Sequence, residues 1–135
     1  MIIRVLLADD HKIVREGLRS LLEKEPDIDV ITMADNGRAA LQLAGELRPD
    51  VAVIDIAMPE MNGIEAIRRI SAANPGVRIL ALSMHSARRF VAEALSAGAN
   101  GYILKDCASE ELVRAIRVIA ENQTYLSPKI TGLIV

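Results

Sequence analysis

Short runs of aliphatic and β-branched residues alternate along this chain with stretches whose apolar positions recur every three or four residues. The runs are Ile2 to Leu7, Val30 to Met33, Val51 to Ile54, Val77 to Leu82 and Gly101 to Leu104. Between and after them lie five stripes. They are Val14, Leu18, Leu21 and Leu22; Ala40, Leu43, Ala44 and Leu47; Ile64, Ile67 and Ile70; Val91, Ala94, Leu95 and Gly98; and Leu112, Ile116, Ile119 and Ala120. Spacing of this kind puts apolar side chains on one face of a helix, whereas short β-branched runs read as strands. Pro49 stops the second helix, and Pro75-Gly76 separates the third helix from the fourth strand. Ser109 is placed to cap the last helix, with Glu110 and Glu111 in its first turn. Five strand–helix units in alternation predict a doubly wound α/β fold, a parallel sheet with helices on both faces. The first, third and fourth strands are almost unbroken apolar runs, as strands buried on both faces must be.

The pattern changes after about Gln123. Tyr125 to Gly132 carries no clear amphipathic stripe, and the segment 124–135 reads as a linker following a 1–123 domain.

Composition narrows the class. The chain has 135 residues, enough to bury one sizeable core without disulfides. Its single cysteine, Cys107, excludes an internal disulfide framework and a thiolate zinc cluster. No apolar stretch approaches the ~20 residues that span a bilayer, and Met1-Ile2-Ile3-Arg4 lacks the features of a signal peptide. A cytoplasmic protein with no membrane partner is expected. Sixteen basic residues against eighteen acidic ones, without a basic run, argue against direct binding to DNA. Aromatic residues make up only 2%, which argues against base stacking.

Ligands of open parallel sheets sit outside the carboxyl ends of the strands. The first predicted strand ends in Asp9-Asp10, the third in Asp55, the fourth in Ser83 and the fifth in Lys105; the second, near Asp35-Asn36, delivers no clear group. Each has an ordinary reading. Asp9 or Asp10 is a plausible helix N-cap, Asp55 a turn residue, Ser83 a cap, and Lys105 a solvated lysine. Taken together the ordinary readings fail, because three carboxylates converging on one edge repel one another unless a cation joins them. Mg²⁺ suits such a site, since it takes oxygen ligands and keeps several waters. A carboxylate beside Mg²⁺ and a lysine can attack phosphorus and form an acyl phosphate, and the hydroxyl of Ser83 can donate to a phosphoryl oxygen.

These residues, together with Met58-Pro59 and Gly63 after Asp55 and with Tyr102 before Lys105, resemble the receiver domain of a two-component response regulator. The stretches Leu82 to His85, Ala97 to Asp106 and Tyr125 to Pro128 are similar to the NarL/FixJ (LuxR-type) class. The resemblance implies a flavodoxin-like (βα)5 sheet of strand order 2-1-3-4-5. It implies Asp55 as the phosphoacceptor and a sensor histidine kinase as donor. Asp10, Asp55 and the backbone carbonyl of Ala57 would bind Mg²⁺, with Asp9 acting largely through water. Lys105 would contact the phosphoryl group. Ser83 and Tyr102 would be a switch pair, the hydroxyl moving toward phosphate and the ring turning inward. It further implies a homodimer formed on phosphorylation, and control of transcription through a C-terminal helix-turn-helix domain after the linker, the only route to DNA. The chain is not expected to be an enzyme beyond its own phosphorylation and dephosphorylation.

Two other classes fit less well. A haloacid-dehalogenase-like phosphatase places a second aspartate two residues after the nucleophile, where this chain has Ala57. A flavodoxin-like cofactor carrier needs a Ser-, Thr- and Gly-rich loop after the first strand, where this chain has Asp9-Asp10-His11. A receiver without a DNA-binding partner is a third alternative.

Several neighbouring residues invite further readings. His11 is expected to face solvent, since Mg²⁺ does not favour imidazole. His85 and Ala57 flank the path of a water attacking the acyl phosphate and are the candidate modulators of its lifetime. His85 can hold or exclude that water, whereas Ala57 has no polar group to orient it. Cys107 is expected to be a passive thiol. Met58 and Met61 are expected to pack the loop, Pro59 to set it, and Gly63 to permit the turn into the third helix.

Overall fold

The computed structural model describes residues 1–107 and 109–130. In chain order the elements are β1 (Ile3–Ala8), α1 (Lys12–Glu23), β2 (Ile28–Ala34), α2 (Gly37–Leu47), β3 (Val51–Asp55), α3 (Gly63–Ala73), β4 (Arg78–Ser83), α4 (Arg88–Ala97), β5 (Gly101–Leu104), α5 (Ser109–Ala120) and β6 (Tyr125–Leu126). The strands form one sheet of order β2-β1-β3-β4-β5-β6, and every pairing is parallel. The order 2-1-3-4-5 is as expected. The sixth strand is an addition, formed by residues that carry no strand periodicity of their own.

Alternation of side chains along the strands divides the core in two. On one face Leu6, Ala52, Ile54, Ile79, Ala81 and Tyr102 pack against α2, α3 and α4 through Ala40, Ile67, Ile70 and Val91. On the other face Val5, Leu7, Val51, Val53, Leu80 and Ile103 meet Leu22 of α1 and Leu112, Ile116 and Ile119 of α5. All five residues of β3 are buried, as its unbroken apolar run requires. The central strand therefore carries Asp55 at its carboxyl end into a rigid, water-poor setting.

The helix ends are capped differently from the sequence expectation. Neither Asp9 nor Asp10 caps α1; its N-cap is His11, which makes no side-chain cap bond. Asn36 caps α2 by accepting from the Ala39 N–H at 2.8 Å, which gives the second strand end a purely structural role. α5 begins at Ser109 itself, with Glu110 and Glu111 in its first turn, and the preceding position lies outside the described residues. Gly98 is not part of the fourth stripe but closes α4 as its C-cap at φ +120°.

Candidate functional site

The strand-end residues meet at the carboxyl edge of β1, β3, β4 and β5. Asp9 and Asp55 are almost completely buried, as is Ser83. Lys105 reaches across the edge to both carboxylates, with Nζ 2.9 Å from Asp55 Oδ2 and 3.0 Å from Asp9 Oδ2. The contact to Asp55 is a hydrogen bond. The contact to Asp9 is an ion pair without hydrogen-bond alignment, so Asp9 Oδ2 is left without a donor. Asp55 Oδ1 accepts from the Ala57 N–H at 3.1 Å. Asp9 Oδ1 accepts from the His11 N–H at 2.8 Å.

One cation shared by two buried carboxylates explains the protonation behaviour. Burial pushes the Asp55 carboxyl above its ordinary range; the Ala57 N–H and Lys105 pull it back only in part, and Asp9 adds repulsion. Burial pulls the Lys105 ammonium down, yet the hydrogen bond to Asp55 and the close negative charges of Asp55 and Asp9 outweigh it, and the net shift is upward. The lysine has more counter-charge than it needs, and each carboxylate has less.

That deficit tests the fit of a cation. Carboxylate oxygens of Asp9, Asp10 and Asp55 lie with His11 Nδ1 in a cluster whose atoms are all within 4.8 Å of one another. Asp10 Oδ1 is sealed from solvent and accepts no hydrogen bond. His11 Nδ1 sits 3.1 Å from it, close but not bonded. A buried, unsatisfied anionic oxygen beside two further carboxylates is the donor set that a hard divalent ion fits.

Around this centre the loops are tied to the same residues. Ser83 Oγ accepts from the His85 N–H at 2.9 Å, and the Tyr102 hydroxyl donates to the His85 carbonyl at 2.7 Å. The Tyr102 ring is wholly buried, and burial raises its phenol above the usual range. The ring of His85 stacks on Phe90 of α4, with centroids 4.4 Å apart. Its pose, left open by the sequence, is thus a stacked one. His11 is 64% exposed in its side chain, as expected, although its Nδ1 leans on both aspartates at 3.1 and 3.3 Å. Burial raises the Cys107 thiol, with Glu111 and Asp106 adding to the effect, which suits an inert thiol. Met58 joins the core. Met61 takes a left-handed backbone, φ 81°, and its carbonyl lies against Gly37.

One supporting residue escaped the sequence reading, and a second does more than was expected of it. Arg15 Nη1 donates to the Asp9 carbonyl at 2.7 Å, pinning the acidic loop to α1. Gly63 serves more than a turn: a Cβ there would overlap the Asp55 carbonyl oxygen and the Ile56 Cα. The start of α3 therefore presses directly on the backbone that carries Asp55. A pair of small residues flanking a reactive strand end, Ala57 and Gly63, was the available signal.

Residues 5–117 match the sequence profile of the response regulator receiver domain, and the chain belongs to that family. It is 37% identical over 129 residues to the transcriptional regulatory protein DegU of Brevibacillus brevis, covering 96% of this chain and 55% of that protein. It thus spans little more than half of this curated relative. Among solved structures it is similar to a LuxR-family two-component response regulator from Aurantimonas sp. SI85-9A1, with TM-score 0.94, 39% identity and coverage of 98% and 94% of the two chains. It is also similar to the signal receiver domain of the putative response regulator NarL from Mycobacterium tuberculosis, with TM-score 0.87, 35% identity and coverage of 90% and 98%. The particular class is therefore the LuxR-type, NarL/FixJ branch of response regulators. The family's function is a phosphorylation-based switch, and the named relatives are regulators rather than enzymes acting on external substrates. Among the described residues no helix is long and apolar enough to cross a membrane.

Proposed function

We propose that Asp55 accepts a phosphoryl group from the phosphohistidine of a sensor kinase. The observation that carries this reading is the buried Asp55 carboxylate hydrogen-bonded to Lys105 beside the under-neutralised Asp9 and Asp10. A carboxylate oxygen of Asp55 attacks phosphorus in line. The new O–P bond forms as the P–N bond breaks, and the departing imidazole nitrogen takes up a proton from solvent. Lys105 then holds a phosphoryl oxygen in place of the carboxylate oxygen it holds now. The Ser83 hydroxyl, whose oxygen accepts from His85, still has its proton to donate to another.

Asp10, Asp55 and the Ala57 carbonyl would hold Mg²⁺, with Asp9 acting through water. The ion supplies neutralisation of charge on the equatorial phosphoryl oxygens. Phosphorylation and the later hydrolysis at Asp55 are the chain's only catalysis. The phosphoryl-bound state favours the inward Tyr102, promotes a homodimer, and in the parent cytoplasmic regulator controls transcription through a DNA-binding domain beyond the linker 124–135.

Acetyl phosphate with Mg²⁺ should add one phosphoryl group to the chain, seen by intact-mass analysis. The gain should vanish in Asp55→Asn and form far more slowly in Mg²⁺-free buffer. A gain that persists in Asp55→Asn removes Asp55 as the acceptor.

A further inference from the structure

The segment after α5 returns to the switch pair. β6 pairs with β5 in the register Gly101 to Tyr125 and Tyr102 to Leu126. The Tyr125 N–H donates to the Asn100 carbonyl at 3.2 Å, and the Ser127 N–H to the Tyr102 carbonyl at 3.1 Å. Gly101 is what allows the approach: a Cβ there would come within 2.6 Å of the Tyr125 carbonyl oxygen and 2.7 Å of Ile119 Cδ1. Beyond β6 the chain crosses to the α4 side of the sheet. There Ile130 is wholly buried in the apolar cluster that also holds Tyr102, Leu104, Val91 and Ala94, with Leu126 packed against it. The Ile130 N–H closes a turn onto the Ser127 carbonyl at 2.8 Å.

Tyr102 therefore faces two ways. Its hydroxyl holds the His85 loop, its carbonyl accepts from the Ser127 N–H of the tail, and its ring lies in the same buried apolar cluster as Ile130. We infer that residues 125–130 are a third member of the switch: the docked tail and the inward Tyr102 stabilise each other, so phosphorylation at Asp55 tightens the tail against α4 and β5. This rests on Asp55 being the phosphoacceptor. The physical ground is shared packing. An inward ring fills the cluster that Ile130 completes, and an outward ring would leave Ile130 with fewer partner atoms. Lys129 Nζ, 3.8 Å from Asp106 Oδ2 beside Lys105, adds only a weak exposed pair. The transmitting contact is apolar and main-chain.

Coupling of this kind is reciprocal: if the phosphoryl site favours the docked tail, the docked tail favours the phosphoryl site. The test uses the whole chain with Mg²⁺ and BeF₃⁻ standing in for the phosphoryl group. Bound BeF₃⁻ is followed by ¹⁹F resonance, and the tail by amide hydrogen exchange. With the site saturated, the amides of Tyr125, Ser127 and Ile130 should exchange at least about fivefold more slowly. Ile130→Ala, at the edge of the fold, should weaken BeF₃⁻ binding by about the same factor while still giving the bound resonance. In Tyr102→Ala, saturation should no longer protect the tail. Unchanged tail exchange at saturation overturns the proposal. So does unchanged affinity in Ile130→Ala, or protection that survives in Tyr102→Ala. Absence of any bound resonance in the unmutated chain is a different result, since it overturns the phosphoacceptor reading itself and the inference with it.

Discussion

Asp55 and Asp9 share one lysine, and that shortage has a thermodynamic sign. The Asp55 carboxyl is raised, mainly by burial. Between its ordinary pKa of 3.8 and the raised native value, the folded protein holds a proton that the unfolded chain has released. Stability therefore falls as pH rises through that window, and at neutral pH the charged group is a net burden. In metal-free buffer Asp55→Asn should melt a few degrees above the unmutated chain, and the difference should shrink toward acid; a lower midpoint contradicts the burial argument. Mg²⁺ at about 100 times its Kd should add about 2.7 kcal/mol to the unmutated chain. It should add much less to Asp10→Ala, as melting with and without metal would show. The lifetime of the phosphoryl group belongs to the same scale. Ala57 offers no polar atom to align water, so Ala57→Asn should speed dephosphorylation several-fold, measured as loss of the mass increment with time. These residue types were legible because strand ends in a parallel sheet converge. The pose of His85 and the lean of the exposed His11 on Asp10 were not, because a stack on Phe90 or a loop contact depends on neighbours that periodicity does not encode.

At the scale of elements, the glycines separate backbone propensity from close packing. Gly45 lies within α2, and a Cβ there would meet only the Asn74 side chain at 3.9 Å. Gly45→Ala should stabilise the fold by about 0.5–1 kcal/mol through helix propensity. Gly63→Ala, which drives a Cβ into the Asp55 backbone, should cost about 1–3 kcal/mol and slow phosphorylation as well. Chemical denaturation of the pair tests both, and equal effects would refute the close-packing account of Gly63. A second element contact carries a pH signature. Arg117 of α5 binds Asp27 at 2.8 and 2.9 Å and Glu25 at 2.8 Å, tying α5 to the turn before β2. Its hydrogen bond holds the Asp27 carboxyl below the usual value of 3.8. The resulting stability is present above that value and is lost as pH falls through the lowered native pKa. Arg117→Ala should therefore destabilise at neutral pH, with a deficit that closes in acid and narrows in high salt because the pair is exposed. The five repeated units were readable since each stripe and run obeys its own period. β6 was not, because two residues joined by main-chain bonds need no side-chain pattern; the sole hint was a glycine at the start of β5.

For the molecule as a whole, one edge of the sheet is β2 and the other is the two-residue β6, with Ile130 buried beside it. The tail thus occupies part of the α4 side, whereas a groove between α1 and α5 stays open along Gly17, Leu21 and Val113. Self-association of the BeF₃⁻-bound chain is expected through that groove. Sedimentation should show a dimer that Gly17→Glu, at an exposed position on that groove, abolishes while Phe90→Asp does not. The reverse pattern would move the interface to α4.

The crowding of carboxylates has a kinetic consequence as well. Asp9, Asp10 and Asp55 against Lys105 leave the mouth of the site with two formal negative charges. An approaching phosphodonor is itself an anion, so encounter with the metal-free site is repulsive, and added inert salt should accelerate it. A bound divalent ion would cancel that charge, and the rate of uptake would lose most of its dependence on ionic strength. The slope of rate against ionic strength is then a meter of the charge a donor meets on arrival. It separates a metal's role in drawing donors in from its role in the bond-making that follows.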